Sequence, residues 1–182
     1  MGRQSGERTE ARLNESTIRE FLGTTYPRLV AGVALITGSR AAAEDAVQEA
    51  LARAWERSER GEQIESLPAW VTRVAMNLSK SRLRRMRVEA RHREIPDQEP
   101  SDSGGAATDA RIDVARALAV LPHRQREVTV LRYYLGLNVT EIAETLDLHE
   151  GTVKTSLFRA RAALATALGE PVEEENDHAA LG

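Results

Sequence analysis

At 182 residues with no cysteine, the chain has room for one medium domain or two small helical ones, and neither a disulfide framework nor a thiolate metal site is available to it. Aromatic residues make up only 4% of it while Leu, Ala, Arg and Glu dominate, which favours helices over sheets. The net charge of −3 is strongly segregated: seven bases against Glu89 between Lys80 and Arg93 give a local +6, whereas Glu94–Asp109 and Glu170–Gly182 each carry five acids and no Lys or Arg. Such segregation implies a basic surface for polyanions and acidic segments that are solvated or shield it. No apolar run approaches the roughly 18 residues of a membrane span, and Met1–Asn14 lacks the apolar core of a signal peptide. No membrane insertion is expected.

In chain order, Ile18 to about Thr37 reads as a helical segment interrupted or begun near Pro27, with Gly38 as its stop. Val47, Ala50, Leu51, Ala54 and Trp55 then recur at helical spacing, an apolar stripe with Glu44 and Asp45 in the first turn where the macrodipole favours acids. The polar segment Ser58–Ser66 follows. A third helix starts at Pro68, with Val71, Val74, Ala75 and Leu78 as its buried stripe. On its other side Arg73, Asn77, Lys80, Arg84 and Arg87 fall in one row that contains no acid. The row is roughly 20 Å long at 1.5 Å per residue and suits a nucleic-acid backbone. Pro96–Thr108 combines Pro, Gly, Ser and acids without periodicity and reads as a flexible linker.

Beyond it, Ile112, Ala115, Leu118 and Ala119 form an amphipathic stripe ended by Leu121-Pro122. A second helix follows to Leu135, with Val128, Leu131, Tyr134 and Leu135 inward and Gly136 as a left-handed stop. Asn138 and Glu141 have capping-box spacing, and Ile142, Ala143 and Leu146 form the core face of the short helix they open. Asp147-Leu148 makes a tight turn into a longer helix, Glu150 to Leu168, whose inward face is Val153, Leu157, Ala160 and Leu164. A short helix, a turn and a longer helix form the helix-turn-helix signature. Lys154, Thr155, Phe158, Arg159 and Arg161 face outward, where a recognition helix reaches base edges and phosphates.

The expected fold is therefore all-α: two small helical domains joined by a flexible acidic linker, the C-terminal one a helix-turn-helix. The boundaries run as a disordered N-terminus 1–14, a first domain 15–93, a linker 94–111, a second domain 112–169 and an acidic tail 170–182.

From about Phe21 to Leu168 the chain resembles the extracytoplasmic-function (ECF) sigma factors of the sigma-70 family. The resemblance is carried by Tyr26-Pro27-Arg28-Leu29; by Glu44 to Glu49 with Arg53 and Trp55; by Pro68-Ala69-Trp70 with Arg73 to Asn77; and by Leu121-Pro122 through Gln125-Arg126-Glu127 to Gly151-Thr152-Val153-Lys154 and Arg159-Ala160-Arg161. It implies a cytoplasmic transcription initiation factor, not an enzyme, that needs no cofactor and no metal. Asp45, Gln48, Glu49, Arg53 and Trp55 would grip the clamp helices of the β′ subunit of core RNA polymerase, with the β subunit as a further contact. Arg73, Asn77, Lys80, Arg84 and Arg87 would meet the −10 element, from which a base is unstacked, and the segment Ser58–Ser66 would help hold that base. Thr152, Lys154, Thr155, Phe158 and Arg159 would read the −35 element. Members of the family are often held by an anti-sigma factor.

Three positions depart from the family pattern: Ser58–Ser66 lacks the aromatic many relatives carry, Ser156 stands where Arg is frequent, and His149 replaces a capping Ser or Asp. The last is worth about 1 kcal/mol of helix start. Two alternatives account for less. A free-standing regulator using only the helix-turn-helix leaves the exposed acids and the basic row unexplained. An enzyme lacks a locatable constellation, since His92, His123, His149 and His178 are scattered and no phosphate-cradling loop is present.

Overall fold

The computed structural model describes residues 13–93 and 109–168, and every regular element among them is helical. They fall in two compact units. The first holds α1 (Glu15–Thr24), α2 (Tyr26–Thr37), α3 (Arg40–Glu59) and α4 (Leu67–Arg93); the second holds α5 (Asp109–Ala119), α6 (His123–Thr129), a π-helical turn (Val130–Tyr134), α7 (Val139–Leu146) and α8 (Glu150–Leu168). The expected tail and most of the expected linker and N-terminus lie outside the described residues; the helix that follows the linker starts at Asp109, three residues before the expected Ile112.

In the first unit each helix end is settled by a local device. The Asn14 side chain accepts the Thr17 N–H at 2.8 Å and opens α1. Pro27 sits in the first turn of α2, where its missing N–H leaves no bond unmade, and the break expected near it lies two residues earlier, at Thr25. Gly38 ends α2 at φ 74°, a left-handed conformation that glycine adopts without a Cβ penalty. Ser39 then caps α3 by accepting the Ala42 N–H at 3.2 Å. The core combines Leu29, Val30, Val33 and Ile36 of α2 with Val71, Ala75 and Met76 of α4, across an α3 face made of Ala43, Ala46, Val47, Ala50 and Ala54. A mostly alanine face lets the neighbouring helices approach closely. On the inner side of α4 the buried hydroxyls of Thr72 and Ser79 bond the carbonyls of Pro68 and Ala75, so neither is left unsatisfied.

Two expectations for this unit fail. Trp55 is 43% exposed, so it is not part of the α3 core stripe; Ala54 takes the buried position, and one residue on, the helix has turned away from the core. Ser58 and Glu59 are still helical, and Ser58 is buried with its hydroxyl accepting the Leu13 N–H at 2.9 Å, so the connecting loop is shorter than Ser58–Ser66.

The second unit packs Leu118, Leu121, Val128, Val130 and Leu131 against Ile142 and Leu146 of α7 and Val153, Leu157 and Ala160 of α8. Ala115 and Ala119 are exposed, so Leu118 alone of the expected α5 stripe with a described side chain reaches the core. The Arg126 guanidinium donates to the carbonyls of Leu118 (2.9 Å), Ala119 (3.1 Å) and Leu121 (3.3 Å), gathering acceptors at the end of α5 and in the turn after it. Desolvation lowers its pKa from the ordinary value, yet a guanidinium keeps its proton in proteins. Glu127, 1% exposed, is neutralised by Arg124 at 2.8 Å, an ion pair rather than an aligned hydrogen bond, with His123 at 3.3 Å.

A correction concerns Tyr134, expected inward but 36% exposed. The cause is the π-helical turn, in which the Leu135 N–H reaches back five residues to the Val130 carbonyl at 3.0 Å. One extra residue in the turn shifts every later side chain around the axis. Glu127 to Leu131, up to the start of that turn, are all buried, and Tyr133 and Tyr134 beyond them are turned out.

The helix-turn-helix follows. Both halves of the capping box are made: the Glu141 N–H donates to Asn138 Oδ1 at 2.9 Å, and the Asn138 N–H to Glu141 Oε2 at 2.7 Å. Asp147 ends α7 at φ 55°, ψ 60°, the left-handed conformation that Asp tolerates better than most residues. Thr140 donates to Glu150 at 2.6 Å and so ties the first turn of α7 to that of α8. This bond holds the start of α8, where His149 stands in place of a capping Ser or Asp.

Candidate protein and nucleic-acid interfaces

The first unit offers two chemically different faces. On the outer side of α4, opposite Val71 and Ala75, Arg73, Asn77 and Arg84 are exposed and Lys80 is half-buried. The helix includes Arg87, but its side chain lies outside the described residues. The part of the row that is described spans about 16 Å at 1.5 Å per residue. Evenly spaced donors on a straight helix can meet successive phosphates, and Asn can also read a base edge.

The other face is a shallow groove of about 590 Å³ between α3 and the distal half of α4. Asp45, Gln48, Glu49 and Arg53 of α3 line one side. Their orientation comes from the buried positions between them, because Ala46, Val47 and Ala50 turn inward and leave these side chains outward. Glu49 is paired with Arg53 at 2.8 Å, one helical turn on. Gln48 donates to the Tyr26 hydroxyl at 3.3 Å, joining this surface to α2. Trp55 belongs to α3 and is exposed, but it does not line the groove.

Arg82 and Arg85 of α4 line the opposite side, and Arg82 reaches Asp45 at 3.0 Å. Sequence reasoning missed both. The signal was present in the spacing: Val71, Ala75 and Leu78 continue in line to Arg82 and Arg85, so the apolar stripe turns basic where α4 meets the acidic side of α3. Asp45 and Arg82 keep 60% and 49% of their side-chain surface exposed. A pair of that exposure contributes about 0–1 kcal/mol, so it orients the two groups more than it stabilises the fold.

In the second unit, Val153, Leu157 and Ala160 anchor α8, while Thr152, Lys154, Thr155, Phe158 and Arg159 are exposed. Phe158 is 63% exposed, more than any other large apolar side chain described. The Thr155 hydroxyl donates to the Gly151 carbonyl at 2.8 Å, so its hydrogen is engaged within the helix. Flanking cations around a small and apolar centre suit a groove contact in which Lys and Arg meet phosphates or guanine edges. The sequence-derived residues are thus separated onto three surfaces. Asp45, Gln48, Glu49 and Arg53 come together, as do the four described members of the α4 row and the five residues of α8.

Among the described residues no cluster of His, Asp and Glu could hold a metal ion, and no helix is long and apolar enough to cross a membrane. Comparison with known proteins points the same way for both units. The family model of sigma-70 region 2 matches residues 22–88, and that of sigma-70 region 4 matches residues 111–164. The ECF RNA polymerase sigma factor SigL of Mycobacterium tuberculosis is 38% identical over 141 residues, covering 74% of this chain and 79% of that protein. The RNA polymerase sigma-E factor of Streptomyces coelicolor is 32% identical over 153 residues, covering 82% and 84%. Among solved structures, the sigma factor RpoE of Bartonella quintana, crystallised with the anti-sigma factor NepR, superposes with a TM-score of 0.69 at 26% identity, over 86% of this chain and 98% of that one. The chain therefore belongs to the ECF sigma factors of the sigma-70 family, non-enzymatic factors for transcription initiation by RNA polymerase.

Proposed function

We propose that this sigma factor binds core RNA polymerase through the α3 face, engages the −10 element through α4 and reads the −35 element through α8, thereby promoting promoter melting. Residues 15–93 act as region 2 and 112–169 as region 4. Asp45, Gln48, Glu49 and Arg53, with Trp55 alongside, meet the β′ clamp helices; the β subunit supplies a further contact. Arg73, Asn77, Lys80, Arg84 and Arg87 track the −10 strand. Unstacking a base costs a few kcal/mol, an amount that single-strand contacts can offset without ATP. Thr152, Lys154, Thr155, Phe158 and Arg159 give the −35 contacts, Phe158 supplying the apolar one.

The observation that carries this reading is the division of the first unit into an acid-bearing groove and an outward basic row on opposite sides of α4. A protein that only bound DNA would have no use for the exposed acids of α3. An anti-sigma partner is supported by the similarity to RpoE, which was solved with one. The factor works in the cytoplasm, with its polymerase.

The test is reconstitution. The purified chain mixed with core polymerase and genomic promoter fragments yields specific run-off transcripts that core polymerase alone does not. Failure to form a complex with core polymerase would contradict the reading.

A further inference from the structure

The basic side of the α3–α4 groove is not accounted for by nucleic-acid binding. Arg82 lies on the opposite side of α4 from the row Arg73, Asn77 and Arg84, and Arg85 is turned about 100° round the helix axis from Arg84 toward Arg82, so that both line the groove with α3. They border a concavity whose facing side carries Asp45 and Glu49. Phosphates entering it would meet carboxylates, which excludes a long single-sign polyanion as its occupant. The groove is bipolar, with Ala52 and Leu78 between the charged walls. Its complement is a protein element that brings both signs of charge and a short apolar contact.

The pairing inside the groove sharpens this. Each acid has its own arginine: Arg82 holds Asp45 at 3.0 Å and Arg53 holds Glu49 at 2.8 Å. Arg85 is left over, with no ion-pair partner among the described residues, although it lines the same space. A carboxylate from outside would satisfy it.

Resting on the assignment of the α3 face to polymerase binding, we propose that the polymerase element seats between α3 and α4 and touches both walls. Arg85 is a binding residue that takes a carboxylate of the polymerase. Arg82 is a positioning residue that fixes the Asp45 carboxylate toward a polymerase cation. The partner helix thus presents a base to Asp45 and Glu49 and an acid to Arg85, a two-sign pattern that also sets the direction in which it lies.

The test measures affinity of the full-length chain for core polymerase without DNA, with Asp45→Arg plus Glu49→Arg as the reference variant. Arg85→Glu is expected to weaken core binding about tenfold or more with an unchanged thermal midpoint, because like charges juxtaposed across an interface are strongly unfavourable. Core affinity of Arg85→Glu within about twofold of the parent overturns the proposal; so does a loss confined to promoter binding, with a smaller salt slope, since that marks a phosphate contact. For Arg82, Ala weakens binding several-fold and Lys restores most of it. The charge swap Asp45→Arg with Arg82→Asp rebuilds the α3–α4 pair yet stays defective; restored binding would show that the pair is only structural and overturn the positioning role. If the reference variant binds core polymerase like the parent, the α3 assignment fails, and the proposal with it. If the reference loses binding and Arg85→Glu does not, the proposal alone fails.

Discussion

The first unit is centred on two long helices, α3 and α4, and its candidate faces follow from what their apolar stripes leave outside. In the second unit the helices before α8 are short and would be marginal alone, and they are held by particular polar groups: the Arg126 guanidinium, the Asn138–Glu141 box, the Thr140–Glu150 bond and the left-handed Asp147. The difference teaches where a sequence pattern can be trusted. A long regular helix carries its register from end to end, whereas a chain of short elements can lose it at one irregular turn.

The sharpest test of that contrast is in the π-helical turn. Leu131, fully buried, is expected to cost about 2–5 kcal/mol when replaced by Ala. Tyr134→Ala, at the position expected inward but 36% exposed, should lose clearly less, about 1 kcal/mol or below. Chemical denaturation of the two variants measures both; equal losses would mean that the register does not shift at Val130.

A smaller effect separates the two proposed nucleic-acid surfaces. Lys154→Ala or Arg159→Ala should lose about 1–3 kcal/mol on a matched −35 element and relax discrimination there. Arg84→Ala should weaken promoter binding and lower the slope of log affinity against log salt by about 1, the signature of a phosphate contact. Promoter affinity titrated at several salt concentrations distinguishes them, and a base-dependent loss in Arg84→Ala would break the contrast. The smallest effect is at the cap: Asn138→Ala should destabilise the second unit by about 1 kcal/mol, read as a lower unfolding midpoint.

Much of this was legible in the residues. The spacing of Asn138 and Glu141, the stops at Gly38 and Gly136 and the turn at Asp147 are local signals, and each appears in the structure as its chemistry requires. The outward position of the α4 row and of α8 also followed from periodicity. Trp55 and Tyr134 were misplaced for different reasons. Trp55 is apolar and sits near the edge of a stripe, where hydrophobicity alone does not say which of Ala54 and Trp55 turns inward. Tyr134 follows an inserted π turn that no local residue pattern announces. Arg82 and Arg85 were overlooked because a basic run reads as one surface until α4 is seen to carry its charges on two sides.

On the proposed assignment, those two sides of α4 have separate partners. The most direct measurement is competition for core RNA polymerase in the absence of DNA, comparing Asp45→Arg plus Glu49→Arg with Arg73→Ala plus Arg84→Ala. Reversal of the groove acids is predicted to reduce core affinity about 100-fold or more, roughly 2.8 kcal/mol, while the row variant keeps it within about twofold and loses promoter binding instead. Equal behaviour of the two variants, or full competition by the groove variant, would contradict the division of labour.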